Sequence, residues 1–167
     1  MYEQFLEEFD GKLSRYFERD AAAIKCQKGC SLCCENGDYP LSHLEMEYLM
    51  KGFCRLNQRL HDKVRDNIKT LLEHPQKTYS CPFLIDGECS VYAYRPLTCR
   101  IHGLAYMRSD GIVKLPECAR NGLNYSENFD GKTINFEPIK EDLNLDKIFA
   151  SHPELNFGPI KSLVDFF

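Results

Sequence analysis

Nine cysteines in a chain of 167 residues are the side chains best suited to chemistry. All but one fall at spacings typical of metal ligands, Cys26-x3-Cys30-x2-Cys33-Cys34, then Cys81-x7-Cys89-x9-Cys99, and finally Cys118. Thiolates are soft ligands that suit zinc and Fe–S clusters such as 4Fe-4S, and both kinds of centre take four of them. The spacing therefore predicts a metal site with these cysteines as the candidate ligands.

The number of centres is left open by the vicinal pair Cys33-Cys34. Adjacent side chains seldom point the same way, so we expect the two to serve different sites or only one to be a ligand. The candidates suffice for two four-thiolate centres. Cys54 is different, because it follows Phe53 on an apolar helix stripe, which predicts a small buried side chain and not a ligand.

Composition indicates the compartment and the partners. Hydrophobic residues make up 43% and charged residues 28%, and the formal net charge is −4, which gives no electrostatic footprint for nucleic acid or an anionic membrane. No apolar run is long enough to span a bilayer. The acidic, amphipathic start MYEQFLEEFDGKL is unlike a secretory signal. We therefore expect a cytoplasmic protein whose cysteines bind a metal and do not form disulfides. The class of partner left open is an unknown protein.

Basic side chains lie near the cysteines in sequence: Lys25, Lys28, Arg95, Arg100 and Arg120. For Arg95 and Arg100, inside the second segment, we favour a cofactor-binding role in which they offset thiolate charge and donate hydrogen bonds to sulfur. His102 either replaces one cysteine as a ligand or is a hydrogen-bonding neighbour. No Ser/His/Asp set, phosphate loop or carboxylate pair stands out, so no catalytic residue is predicted.

Helical patterns surround the first cysteine segment. Apolar residues at helical spacing predict a helix within 2–24. Ser42 and Glu45 form an S-x-x-E capping box that predicts the start of a second helix. This helix continues towards Pro75, with a kink or a split near Gly52 and Asn57. Residues 76–102 have little periodicity and are predicted to be irregular structure organised by metal.

The remaining elements follow the second cysteine segment. GLAYMRSDGIVKLPEC predicts a short hairpin about the Asp110-Gly111 turn. Pro138 and Pro159 each predict the first residue of a helix. The predicted fold is a single domain over 1–167, mainly α, with an irregular cysteine-rich metal core and a short β-hairpin.

The quoted segments carry a resemblance to a known family. CQKGCSLCC, then PLSHLE opening a helix, then CPFLIDGECSVYAYRPLTCR resemble the YkgJ-like cysteine-cluster family, also called the zinc- or iron-chelating CxxCxxCC domain, over about residues 24–120. The first segment departs from the family's name pattern by one extra residue between Cys26 and Cys30. The resemblance implies metal binding and, in some larger relatives, an Fe–S-containing methylating enzyme.

Two functions of different classes compete. The first is an Fe–S protein with a redox, regulatory or enzyme-accessory role, which the vicinal cysteines, the neighbouring arginines and the resemblance favour. The alternative is a structural zinc module that holds a surface for a partner protein. A third hypothesis, an enzyme acting on protein side chains, lacks a visible SAM-binding glycine loop. Cys26-x3-Cys30-x2-Cys33 also matches the radical-SAM spacing, but the chain shows no strand–helix alternation for the barrel that this chemistry needs.

Overall fold

The computed structural model describes residues 1–27 and 29–167, so the interpretation of Lys28 lies outside the described residues. The α-helices are α1 Tyr2–Arg19, α2 Leu32–Glu35, α3 His43–Phe53, α4 Gln58–Glu73, α5 Leu97–Ile101 and α6 Leu145–Ser151. The strands are β1 Pro40–Ser42, β2 Leu84–Ile85, β3 Glu88–Cys89, β4 Tyr106–Met107, β5 Val113–Lys114 and β6 Ile160–Ser162. Short 3-10 helices cover Tyr92–Tyr94, Glu117–Asn121, Pro153–Leu155 and Leu163–Phe166. The predicted fold class is confirmed.

The chain folds as two compact units. The first unit contains Met1–Gln27 and Arg100–Leu155, and the second contains Lys28–Cys99 and Asn156–Phe167. Each unit has its own buried apolar side chains. The expectation of a single domain over 1–167 stays a prediction.

The first unit is built on α1, whose predicted apolar stripe is buried at Phe5, Leu6, Phe9 and Leu13. The helix ends at Arg19, five residues before the end of the predicted range 2–24. Strands β4 and β5 pair antiparallel across the Asp110-Gly111 turn, where Gly111 has a φ of +80° that favours glycine. The predicted hairpin is therefore confirmed.

The second unit contains α3 and α4, which the sequence predicts as one helical stretch with a kink or a split. The split is real: α3 ends at Phe53 and α4 begins at Gln58, where the Asn57 side chain accepts a hydrogen bond from the Leu60 N–H at 3.1 Å. Asn at this position is a strong N-cap, which restarts the helix after the break. The predicted capping box at Ser42 is present with both of its hydrogen bonds.

Two predictions about proline-initiated helices are wrong. Ile160–Ser162, just after Pro159, form strand β6, which pairs with β1 in antiparallel register, and only then does a 3-10 helix begin. After Pro138 the chain stays irregular until α6 starts at Leu145, after Asn144. In both places backbone pairing with distant residues, of β6 with β1 and of Ile139 with Tyr106, outweighs the local preference of proline for a first helical turn.

The prediction that residues 76–102 are irregular is incomplete. Strands β2 and β3 form a two-residue-loop hairpin across Asp86 and Gly87, whose φ angles are 52° and 82°. Positive φ at both loop residues is the geometry that Asp-Gly favours in hairpins. The Asp-Gly signal was therefore present in the sequence, but its flanking strands are too short to show alternation.

Helix α3 packs closely on the 3-10 helix Tyr92–Tyr94, and Gly52 permits the contact. A methyl group at Gly52 would lie 2.5 Å from ring atoms of Tyr94. We expect Gly52→Ala to lower the free energy of unfolding by about 1–3 kcal/mol through overpacking, measured by denaturant unfolding. The matched control is Gly11→Ala in α1, where nothing lies within 4 Å, and which should gain about 0.5–1 kcal/mol. Equal effects of the two substitutions would contradict this packing.

Candidate metal centre

Four cysteines of the second unit lie close enough for their charges to interact: Cys33, Cys81, Cys89 and Cys99. Burial raises the pKa of the Cys99 thiol well above its ordinary value, and negative charge on each of the other three raises it further. The same repulsion links Cys81 with Cys89 and Cys33, and Cys89 with Cys33. We call these four residues the thiol quartet, because in every pair among them the charge on one thiol raises the pKa of the other.

The backbone brings the first cysteine segment to Cys81. Gly37 and Tyr79 form an antiparallel bridge with two hydrogen bonds of 3.0 Å. Two residues farther on, the Cys81 N–H donates to the Cys34 carbonyl at 2.8 Å. These bonds hold α2, which carries Cys33, beside a cysteine nearly fifty residues later in the chain. The pairing was not predicted, because nothing in the sequence around Gly37 indicates a strand.

The hairpin between β2 and β3 carries Cys89, and Cys81 lies just before β2, where its carbonyl accepts from the Leu84 N–H at 3.0 Å. Burial raises the pKa of the Cys81 thiol to about 12, although backbone N–H groups of Phe83 and Leu84 act against this rise. Burial likewise raises the pKa of Cys89, against hydrogen bonding from the Val91 backbone. N–H groups aimed at sulfur stabilise thiolates, and they are common around metal-bound cysteines.

The vicinal pair is closer than expected. The Sγ atoms of Cys33 and Cys34 lie 3.8 Å apart, so the expectation that adjacent thiols point apart is wrong here. Hydrogen bonding with Cys34, together with burial and the Cys34 charge, raises the pKa of the Cys33 thiol. For comparison, two sulfurs bound to one tetrahedral zinc at about 2.3 Å are roughly 3.8 Å apart. That the two thiols serve different sites, or that only one of them is a ligand, stays a prediction.

Arg95 places a positive charge beside the thiol quartet. Its charge lowers the pKa of both Cys89 and Cys99 against the larger effect of burial. The guanidinium stacks over the Tyr92 ring, 3.9 Å from the ring centroid, and donates to the Tyr92 carbonyl at 3.0 Å. A cation here favours the thiolate form. The cofactor-binding role that the sequence predicts for Arg95 stays a prediction.

Other predicted site residues lie in the first unit. Cys26 is exposed, and its N–H donates to the buried Asn124 side chain at 2.8 Å. Cys118 is buried in the 3-10 helix Glu117–Asn121. Arg100 is buried in an ion pair with Asp10. Their predicted roles as two metal ligands and a cofactor-binding cation stay predictions.

The remaining candidates are also placed. Cys30 is half-buried in the second unit. Cys54 is exposed just after α3, so its predicted burial is wrong, while its exclusion from the ligands stays a prediction. His102 is half-buried in the first unit, and burial lowers its pKa, which favours the neutral imidazole. Lys25 forms an ion pair with Glu127.

One buried neighbour of the quartet was missed by sequence reasoning. Burial raises the pKa of Tyr39, and charges on Cys81, Cys34, Cys99 and Cys33 raise it further. The phenol donates to the Tyr79 carbonyl at 3.0 Å, which holds the Tyr39 hydroxyl in place. A single tyrosine after a cysteine segment carries no sequence signal for this position.

The donor chemistry of the quartet fits a metal centre. Four thiols that raise one another's pKa cannot all ionise unless a cation neutralises them, and soft cations bind thiolates. As the side chains stand in the described residues, no three His, Cys, Asp or Glu are arranged to hold a metal ion. Metal binding would therefore require the sulfurs to draw together, with loss of their protons.

Comparison with known proteins shows the family of the chain. The family model CxxCxxCC, described as "Putative zinc- or iron-chelating domain", matches residues 25–121, which include the whole thiol quartet. No curated protein and no solved structure matches the chain. Along residues 1–27 and 29–167, no helix is long and apolar enough to cross a membrane.

Proposed function

Because the chain belongs to the CxxCxxCC family of zinc- or iron-chelating domains, we propose that its thiol quartet holds the metal. We further propose that the centre is an Fe–S cluster with a redox, regulatory or enzyme-accessory role. The observation that carries the proposal is geometric: the Cys81 N–H donates to the Cys34 carbonyl at 2.8 Å, beside Cys33, and Cys81 and Cys89 pack against one apolar core. The raised pKa values of the thiols of Cys33, Cys81, Cys89 and Cys99 agree with this grouping. Four thiolates and no other donor type are the usual ligand set of such clusters.

Residues around the thiols favour their negatively charged form, which binds metal. Arg95 and the backbone N–H groups near Cys81 and Cys89 stabilise negative sulfur. An Fe–S cluster bound there would supply a one-electron couple whose potential depends on hydrogen bonds to sulfur and on solvent exposure. The apolar core packs against Cys81 and Cys89, which limits access of water to the sulfurs.

A structural zinc module is the second candidate, and one distance favours it. The 3.8 Å between the Cys33 and Cys34 sulfurs matches two ligands on a single tetrahedral ion. In that case the pair would supply two ligands, and two of Cys81, Cys89 and Cys99 would complete the site. The centre would then hold the surface of the second unit in place for a partner protein.

Purification without oxygen distinguishes the two candidates. We expect a brown protein with broad absorption near about 400 nm, together with iron and acid-labile sulfide. The measurement is an absorption spectrum with metal and sulfide analysis on the same sample. A colourless protein with stoichiometric zinc would contradict the Fe–S cluster and support the zinc module. A protein with neither metal would contradict both.

A further inference from the structure

Glu45 is a fully buried carboxylate in the second unit, with 1% of its surface exposed. It is the third residue of α3, and one oxygen, Oε2, accepts from the Ser42 N–H at 2.7 Å as part of the capping box. An ordinary capping box uses the carboxylate only for its own helix. The capping box accounts for only one of the two oxygens of Glu45.

That second oxygen, Oε1, accepts from the backbone N–H of Leu97 at 2.8 Å. Leu97 is the first residue of α5 and is itself fully buried. The first N–H groups of a helix have no partner within the helix, so an outside acceptor must satisfy them. Glu45 thus caps its own helix and also α5, whose first residue lies 52 positions later in the sequence.

The second of those helices carries Cys99, two residues after Leu97. We infer that Glu45 is a positioning residue for the metal centre: its carboxylate fixes the first turn of α5 and thereby the direction of the Cys99 sulfur. The inference rests on the proposed metal-binding function of the thiol quartet. It concerns a residue outside both cysteine segments.

Glu45→Gln tests the inference with almost no change of shape. A glutamine has one acceptor oxygen in place of two, so its NH2 group must face either the Ser42 or the Leu97 N–H, donor against donor. We expect metal to leave this variant at least about tenfold faster than wild type, as for other groups that orient metal ligands. The measurement is the half-time of metal loss to excess EDTA from the full chain, purified without oxygen.

Ser42→Ala is the matched control. It removes the hydroxyl that accepts from the Glu45 N–H at 3.3 Å, but leaves both carboxylate hydrogen bonds in place. We expect it to lower Tm while changing the half-time of metal loss by less than about threefold. If metal loss simply followed helix stability, this variant would lose its metal as fast as Glu45→Gln. If Glu45→Gln does not fold, Glu45→Asp, one methylene too short to reach both N–H groups, takes its place.

The outcomes separate this inference from the proposed function. Equal half-times for wild type and Glu45→Gln, or an equal acceleration in Ser42→Ala, would overturn the positioning role and leave metal binding intact. A wild-type chain that holds no metal would overturn the proposed function itself. Fast loss confined to the Glu45 variant is the result we expect.

Discussion

Cys99→Ser is expected to lower the metal content of the purified protein at least about tenfold. A serine hydroxyl is a hard, weakly acidic donor, and it replaces one of the soft thiolates that select zinc or iron. Cys99 is coupled to each of the other three quartet members, so its loss leaves an incomplete ligand set. Cys81→Ser and Cys33→Ser should act in the same direction. Metal analysis of each variant, purified without oxygen, is the measurement.

Cys54→Ser is the control for this series. Cys54 is exposed just after α3, so its replacement should leave metal content unchanged and shift the free energy of unfolding by no more than about 0.5 kcal/mol. Loss of metal in Cys54→Ser, or full metal content in Cys99→Ser, would contradict the ligand assignment. Cys26→Ser and Cys118→Ser show in the same assay whether the first unit contributes ligands.

Removal of the metal is expected to loosen the second unit. The hairpin of β2 and β3 has only two residues in each strand, and it carries Cys89 beside an irregular segment. Because the site is not formed in the unfolded chain, metal-binding free energy becomes folding free energy. We expect chelation to lower the free energy of unfolding by at least about 3 kcal/mol, which is roughly 10 °C in Tm for a chain of this length.

Thermal melts with and without EDTA measure this effect. Helices α1, α3 and α4 should keep much of their circular dichroism signal after chelation, because their apolar faces pack without the metal. Amide hydrogen exchange should rise first in residues 76–99. A metal-free protein that melts cooperatively at the temperature of the loaded protein would show that the metal contributes nothing to folding, and the structural part of the account would fail.

Local signals in the sequence predicted one element in each unit. The capping box at Ser42 depends on two side chains three residues apart, so the sequence alone was sufficient. The hairpin at Asp110-Gly111 likewise depends on a turn that demands positive φ. Features that a few neighbouring residues determine are those that pattern reasoning can find.

Features made by distant residues could not be predicted in this way. Strand β6 exists because Ile160–Ser162 pair with β1, more than a hundred residues earlier, and this pairing outweighs the helical preference at Pro159. The second oxygen of Glu45 also meets a partner far along the chain. Both depend on tertiary structure that no local pattern records.

The sequence predicted which type of residue forms the candidate site, but not which cysteines lie together. Spacing singled out the cysteines as candidate ligands, yet it could not show that Cys33, Cys81, Cys89 and Cys99 lie near one another in one unit. It also placed Cys54 on a buried stripe, although the thiol is exposed while the backbone at Cys54 is still helical, with φ −63° and ψ −15°. Successive residues of a helix are turned by about 100°, so the neighbour of a buried phenylalanine need not share its face.

X-ray absorption at the K-edge of the bound metal tests the central claim most directly. The claim is that the thiol quartet, with sulfur as the donor, holds the metal. The account predicts a first coordination shell of four sulfur neighbours and no nitrogen or oxygen, for zinc and for an Fe–S cluster alike. A shell that contains nitrogen or oxygen, or one that is unchanged in Cys99→Ser, would contradict it.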